Sequence, residues 1–122
     1  MDPSKFFKSF SYALKGIIRL FKQEPNARVH LLAAMVALVL GVVLEAAWFE
    51  WMIMILVTGG VLATELINTS IEGLADLYSR DYDSRIEKIK DLSAGAVLVA
   101  AITALIVGII IFLPKVLGEL RN

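Results

Sequence analysis

Residues 51–76, WMIMILVTGGVLATELINTSIEGLAD, decide how this chain folds. The stretch begins as an unbroken apolar run and ends with Glu65, Glu72, Asp76 and Asn68. Its first part, Trp51 to Ile67, is close to the roughly 20 residues a helix needs to cross a bilayer. Placed on the same helix, the four polar residues recur at spacings of three and four. They therefore stay within an arc of about 80°. Leu66, Ile67, Ile71 and Leu74 turn elsewhere. Glu65 lies about 10 Å deeper along the axis than Glu72. A water-facing helix end accounts for Asp76. It accounts poorly for Glu65, because an ionisable group inside a span is costly unless it is paired, hydrated or functional.

Two further segments have the length of a span: about 29–48, before the central one, and about 93–113, closed by Pro114 and Lys115. The central span runs to about residue 72. The short connection EAAWFE makes the first two an antiparallel hairpin, with Trp48 and Trp51 at the interface where aromatics collect. None of the spans alternates as a barrel strand would, and lipid admits only helices or closed barrels. Hydrophobic residues make up 58% of the 122 residues, more apolar surface than a small soluble domain can bury. One all-α membrane domain is therefore expected.

Residues 4–23 read as a further helix. Phe6, Phe10, Leu14, Ile17, Ile18 and Phe21 fall on one side, and Lys8, Lys15, Arg19 and Lys22 largely on the other. That pattern suits an amphipathic helix lying on a membrane surface. Gln23-Glu24-Pro25-Asn26 breaks it and opens the first span. Of the 12 lysines and arginines, only Lys115 and Arg121 fall outside the N-terminal segment and the 73–92 loop. The positive-inside rule puts that segment and that loop in the cytoplasm.

The formal net charge of zero suggests no nucleic-acid partner, and the absence of cysteine excludes thiolate chemistry. The N-terminus does not read as a signal peptide. His30, at the mouth of an apolar run, reads as a packing residue rather than a ligand. Gly59-Gly60 reads as a close helix contact, and no P-loop or kinase-type glycine-rich loop occurs. The carboxylates, with Glu24, Arg28, Lys90 and Asp91 expected at the same level, make a hard oxygen site flanked by cations. Such a set suits Mg²⁺ bound together with phosphates. The ladder points to a magnesium–nucleotide site at the inner membrane surface. An ion pathway or scaffold is the competing class, since membrane carboxylates also line such paths.

The stretches ELINTSIEGLADL (65–77), KDLSAGAVLVAA (90–101), FKSFSYALKGI (7–17) and EPNARVH (24–30) resemble the small bacterial integral-membrane lipid kinases. These are the prokaryotic diacylglycerol kinases, and EWMIMILVTGG and GIIIFLPK are closer to their undecaprenol-kinase branch. The resemblance implies a surface helix plus three transmembrane helices, assembled as a homotrimer in the bacterial cytoplasmic membrane. It implies transfer of the γ-phosphate of MgATP to a lipid alcohol: undecaprenol, or diacylglycerol as the alternative. It gives Glu65 as general base, and Glu24 and Glu72 as metal ligands that also meet the nucleotide. Asn68 would orient the site. Lys5, Tyr12, Lys90 and Asp91, with Asp81, Tyr82 and Asp83 of the loop, would contact nucleotide. Lys15, Gly16, Arg28 and Ala94 would line the site or the lipid. Asp83 stands where histidine is often found, and Gly73 is expected to loosen the helix after Glu72.

Overall fold

A computed structural model of the chain describes residues 2–121. Four helices follow one another: α1 (Pro3–Gln23), α2 (Pro25–Val43), α3 (Trp48–Tyr78) and α4 (Ser84–Arg121). The last three are long and apolar enough to cross a membrane. No strand occurs among the described residues.

The start of α1 is written in Asp2-Pro3-Ser4. Asp2 Oδ1 accepts from the Ser4 N–H at 3.0 Å, and Pro3 occupies a first-turn position where its missing N–H costs nothing. The end of α1 is set by Pro25, which disfavours helical geometry in the residue before it. Glu24 accordingly has φ −109° and ψ 110° and is the single residue between α1 and α2. Arg28 staples this corner: its Nε donates to the Phe21 carbonyl at 2.8 Å and its Nη2 to that of Lys22. A cation thus meets the unpaired carbonyls at the negative end of α1. Only Leu20 of α1 is buried; Phe6, Phe10 and Ile18 are exposed, as expected of a helix whose apolar side meets lipid.

α2 and α3 form the expected hairpin through residues 44–47. The Ala46 N–H donates to the Gly41 carbonyl at 2.8 Å, and the Glu45 N–H to that of Val42 at 3.4 Å. This Schellman closure puts Glu45 in the left-handed region, at φ 53°, where a Cβ costs about 1 kcal/mol. Glu45→Gly is expected to raise resistance to denaturation in detergent by about 0.5–1 kcal/mol, measured as an unfolding midpoint. Next to the turn, the Trp51 ring covers Gly41, where a Cβ would approach the ring carbons within 2.6–2.8 Å. Here a glycine does permit close packing. Gly59 and Gly60 do not fulfil that expectation within the chain: both are exposed, and a Cβ on either would have no neighbour within 4 Å.

The helices outrun the apolar segments. α3 passes through Gly73 without a break and ends at Tyr78, while α4 begins at Ser84. The expected 73–92 loop is therefore only residues 79–83. α4 also continues through Pro114 to Arg121, although Pro114 removes one backbone donor. Apolarity marks where lipid can lie against a helix, whereas backbone hydrogen bonding continues into water. α3 and α4 make the most extensive helix pair, tied at one end by Lys115 Nζ to Glu50 Oε1 at 2.9 Å. Glu50 also accepts from the Ala47 N–H at 2.9 Å. That backbone bond and Lys115 hold its carboxyl below its ordinary value. Few side chains are buried: Met54, Ile111 and Phe112 form the core cluster. Three helices leave most of their apolar surface for lipid or other chains.

Candidate functional site

Glu65 is buried, only 2% exposed. It projects from α3 toward α2, where His30 Nε2 lies 3.3 Å from Glu65 Oε1. His30 was not among the site residues the sequence suggested. Its signal was register: in a hairpin closed at residues 44–47, equal steps back from the turn pair residue 30 with Val61, one helical turn from Glu65.

Asn68 lies one turn further along α3, toward the 79–83 link. It lines a cleft of about 440 Å³ between α3 and α4, with Thr64 and Ser93. Asn68 Oδ1 and Thr69 Oγ1 are buried and have no hydrogen-bond partner among the described residues. An orphaned buried acceptor is costly, so Asn68 is poised to receive a donor from a bound group or water. Ser70, on the same helix, returns its hydroxyl to the Leu66 carbonyl at 2.9 Å.

Glu72 is half-buried one further turn along. Glu24, also half-buried, occupies the corner between α1 and α2. Neither takes part in an ion pair among the described residues, so both carboxylates are available to a cation. No three described His, Asp or Glu side chains come together as a ready-made metal cage. The donors nonetheless fit Mg²⁺ carried by a nucleotide, which takes one or two carboxylates and completes its shell with phosphate oxygens and water.

Asp76 gains a partner. Lys90 Nζ donates to Asp76 Oδ1 at 2.7 Å, bridging α3 and α4. This hydrogen bond, first among its causes, lowers the Asp76 carboxyl below its ordinary value. The lysine expected at the nucleotide is thus held by the last carboxylate of the ladder. Asp91 and Ala94 lie exposed near it on α4.

Asp83 has a structural task. Its Oδ1 accepts from the Arg85 N–H at 2.8 Å, capping α4, and its Oδ2 accepts from Arg85 Nη2 at 2.8 Å. The Arg85 side chain, then its backbone N–H, pull the Asp83 carboxyl down to about 2. Since the folded value is depressed, this contribution to stability is present above the ordinary 3.8 and is lost as pH falls through about 2. Asp83→Asn keeps a capping oxygen but not the charge. Its unfolding midpoint is expected to fall less than that of the parent chain between pH 5 and pH 2.5.

The remaining residues are more dispersed. Asp81 and Tyr82 are exposed on the 79–83 link. Lys5, Tyr12 and Lys15 are exposed on α1, away from its apolar arc, with Lys15 Nζ 5.6 Å from the centre of the Tyr12 ring. No polar contact joins them to α3 or α4 among the described residues. Gly16 has open space where a Cβ would be. The guanidinium of Arg28, expected to line the site, instead caps α1.

The chain is similar to known proteins along almost its whole length. The model of the prokaryotic diacylglycerol kinase family matches residues 11–112. The undecaprenol kinase of Bacillus subtilis is 41% identical over 114 residues, covering 93% of each chain. A diacylglycerol kinase of a Synechocystis species is 34% identical over 90% of this chain and 63% of its own length. The diacylglycerol kinase of Escherichia coli is 26% identical over 84% of both chains. With every rung of the ladder inside the matched region, the chain belongs to the prokaryotic diacylglycerol kinase family.

Proposed function

We propose that this membrane lipid kinase transfers the γ-phosphate of ATP to undecaprenol at the cytoplasmic face of the bacterial inner membrane. The observation that carries the reading is Glu65: a buried carboxylate beneath a ladder of exposed and half-buried polar groups. α2 is 19 residues long, about 28 Å, and His30 beside Glu65 lies about 8 Å along the axis from its Pro25 end. The apolar run of α2 begins only at Val29, after Asn26 and Arg28, so this level is the boundary between headgroups and hydrocarbon. A lipid hydroxyl can reach it from one side and a nucleotide from the other.

The chemistry follows from the ladder. Glu65 takes the proton of the lipid hydroxyl as its oxygen bonds to the γ-phosphorus, and the bond to the leaving ADP oxygen breaks. Phosphoryl transfer asks mainly for alignment and charge neutralisation. Lys90 exchanges Asp76 for the phosphates and offsets their charge, and Asn68 holds a group in the α3–α4 cleft. Glu24 and Glu72 would hold Mg²⁺, which when bound draws charge from the phosphate oxygens. Lys5 and Tyr12 of α1, Asp81 and Tyr82 of the link, and Asp91 line the approach of the nucleotide. Asp83 acts on that approach only through the start of α4. Lys15, Gly16 and Ala94 lie along the lipid side. The lysines and arginines of α1, with Arg80, Arg85, Lys88 and Lys90 around the start of α4, keep this end in the cytoplasm. The largely unburied faces of α2, α3 and α4 support assembly as a homotrimer with shared sites.

Diacylglycerol is the second acceptor to consider, because several of the similar proteins are diacylglycerol kinases. Purified chain in nanodiscs, given radiolabelled ATP and undecaprenol, diacylglycerol, ceramide or monoacylglycerol, tests the reading. Undecaprenol is expected to give the highest kcat/KM. A higher value for diacylglycerol would move the chain to the second reading. Ion conductance without transfer to any lipid would overturn both.

A further inference from the structure

Glu65 and His30 meet where two environments join. Below them, α2, α3 and α4 enclose a groove of about 470 Å³, and His30 and Thr58 are its only polar lining residues among those described. His30 forms the cytoplasmic end of that groove, near Ala33, Val61 and Leu62. Its ring is largely covered, with 23% of its side chain exposed against 3% for Glu65. The chain's single histidine therefore stands between the apolar groove and a buried carboxylate.

From this geometry we infer that His30 is the positioning residue for Glu65. A buried carboxylate on a flexible side chain can turn through several rotamers, and only some present an oxygen to an arriving hydroxyl. The imidazole at 3.3 Å from Oε1 favours one of them. A proton on Nε2 would face Oε1 and leave Oε2 for the alcohol. The ring comes from α2 and the carboxylate from α3, so the contact also fixes the register of the two helices at the depth of the chemistry. The proton taken from the lipid hydroxyl stays on Glu65, and His30 acts through orientation. Support from a neighbouring side chain of this kind is how a reactive group is held in its productive geometry.

The inference rests on the reading of Glu65 as the base, and one set of variants separates the two. His30→Leu, His30→Gln, His30→Asn and Glu65→Gln, each as the full chain in nanodiscs with undecaprenol and MgATP, are compared by kcat and by KM for MgATP. A misplaced reacting group costs up to about 100-fold. His30→Leu is expected to lower kcat by about 10- to 100-fold with KM for MgATP within about twofold of the parent. The amide nitrogen of glutamine reaches the place of the ring Nε2, and that of asparagine does not. His30→Gln should therefore recover most of the lost kcat and His30→Asn should not, a contrast that holds even if the leucine variant fails to fold.

A His30→Leu chain with parental kcat overturns the inference, and so does equal loss in the glutamine and asparagine variants. If Glu65→Gln is inactive in the same assay, the base reading survives that failure. If Glu65→Gln turns over normally, the base reading falls and takes the positioning role with it.

Discussion

Glu65→Gln is expected to abolish lipid phosphorylation while leaving MgATP binding intact. The substitution keeps the size and much of the polarity of the side chain, and removes its ability to take a proton. General-base catalysis contributes about 10²- to 10⁴-fold, and a fall in kcat of that size is the expected result. Glu65 is buried beside α2 and lies about three turns along α3 from Asp76, which holds Lys90, so nucleotide affinity should change little. Turnover from radiolabelled ATP and equilibrium binding of a fluorescent ATP analogue give the two readings. A variant that keeps near-parental kcat would remove Glu65 from its role.

Glu72→Gln should behave differently, with loss in both binding and rate. Glu72 is a half-buried carboxylate that makes no ion pair among the described residues, and a free carboxylate at that level is what a hard cation needs. An amide oxygen remains a weak ligand, but it lacks the charge. Apparent affinity for Mg²⁺ and for MgATP should each weaken, and kcat should fall by about 10²-fold, the scale for loss of one electrostatic stabiliser. Titrating activity with Mg²⁺ at fixed ATP checks this. An unchanged magnesium dependence would mean that the cation is held elsewhere. The contrast with Glu65→Gln is the informative part: one carboxylate changes the rate alone, and the other changes the rate together with the cation.

Most of the architecture was legible in the residues, because its causes are local. The apolar runs specify the three spans, and the three-and-four spacing of Phe6, Phe10, Leu14 and Ile17 specifies the amphipathic character of α1. Pro25 specifies the break that isolates Glu24, through the restriction it places on the residue before it. The alignment of Glu65, Asn68, Glu72 and Asp76 follows from 3.6 residues per turn. Helix ends were less legible. Gly73 and Pro114 look like stops, yet α3 and α4 pass through both. Packing between the two long helices supplies the stability that the local preferences withhold.

Residue order alone is enough to specify a three-span membrane chain with a surface helix and a one-sided carboxylate ladder, since periodicity, proline restriction and apolar length act within a few residues of one another. The choice of partner for each polar group belongs to the folded helices. His30 against Glu65, Lys90 against Asp76 and Lys115 against Glu50 each join residues distant in the chain. Arg28 caps α1 across the α1–α2 corner. A charge takes its partner from whatever the helix register brings within a few ångströms. That register is set by side-chain packing across the helices, such as Trp51 over Gly41, which no local pattern contains.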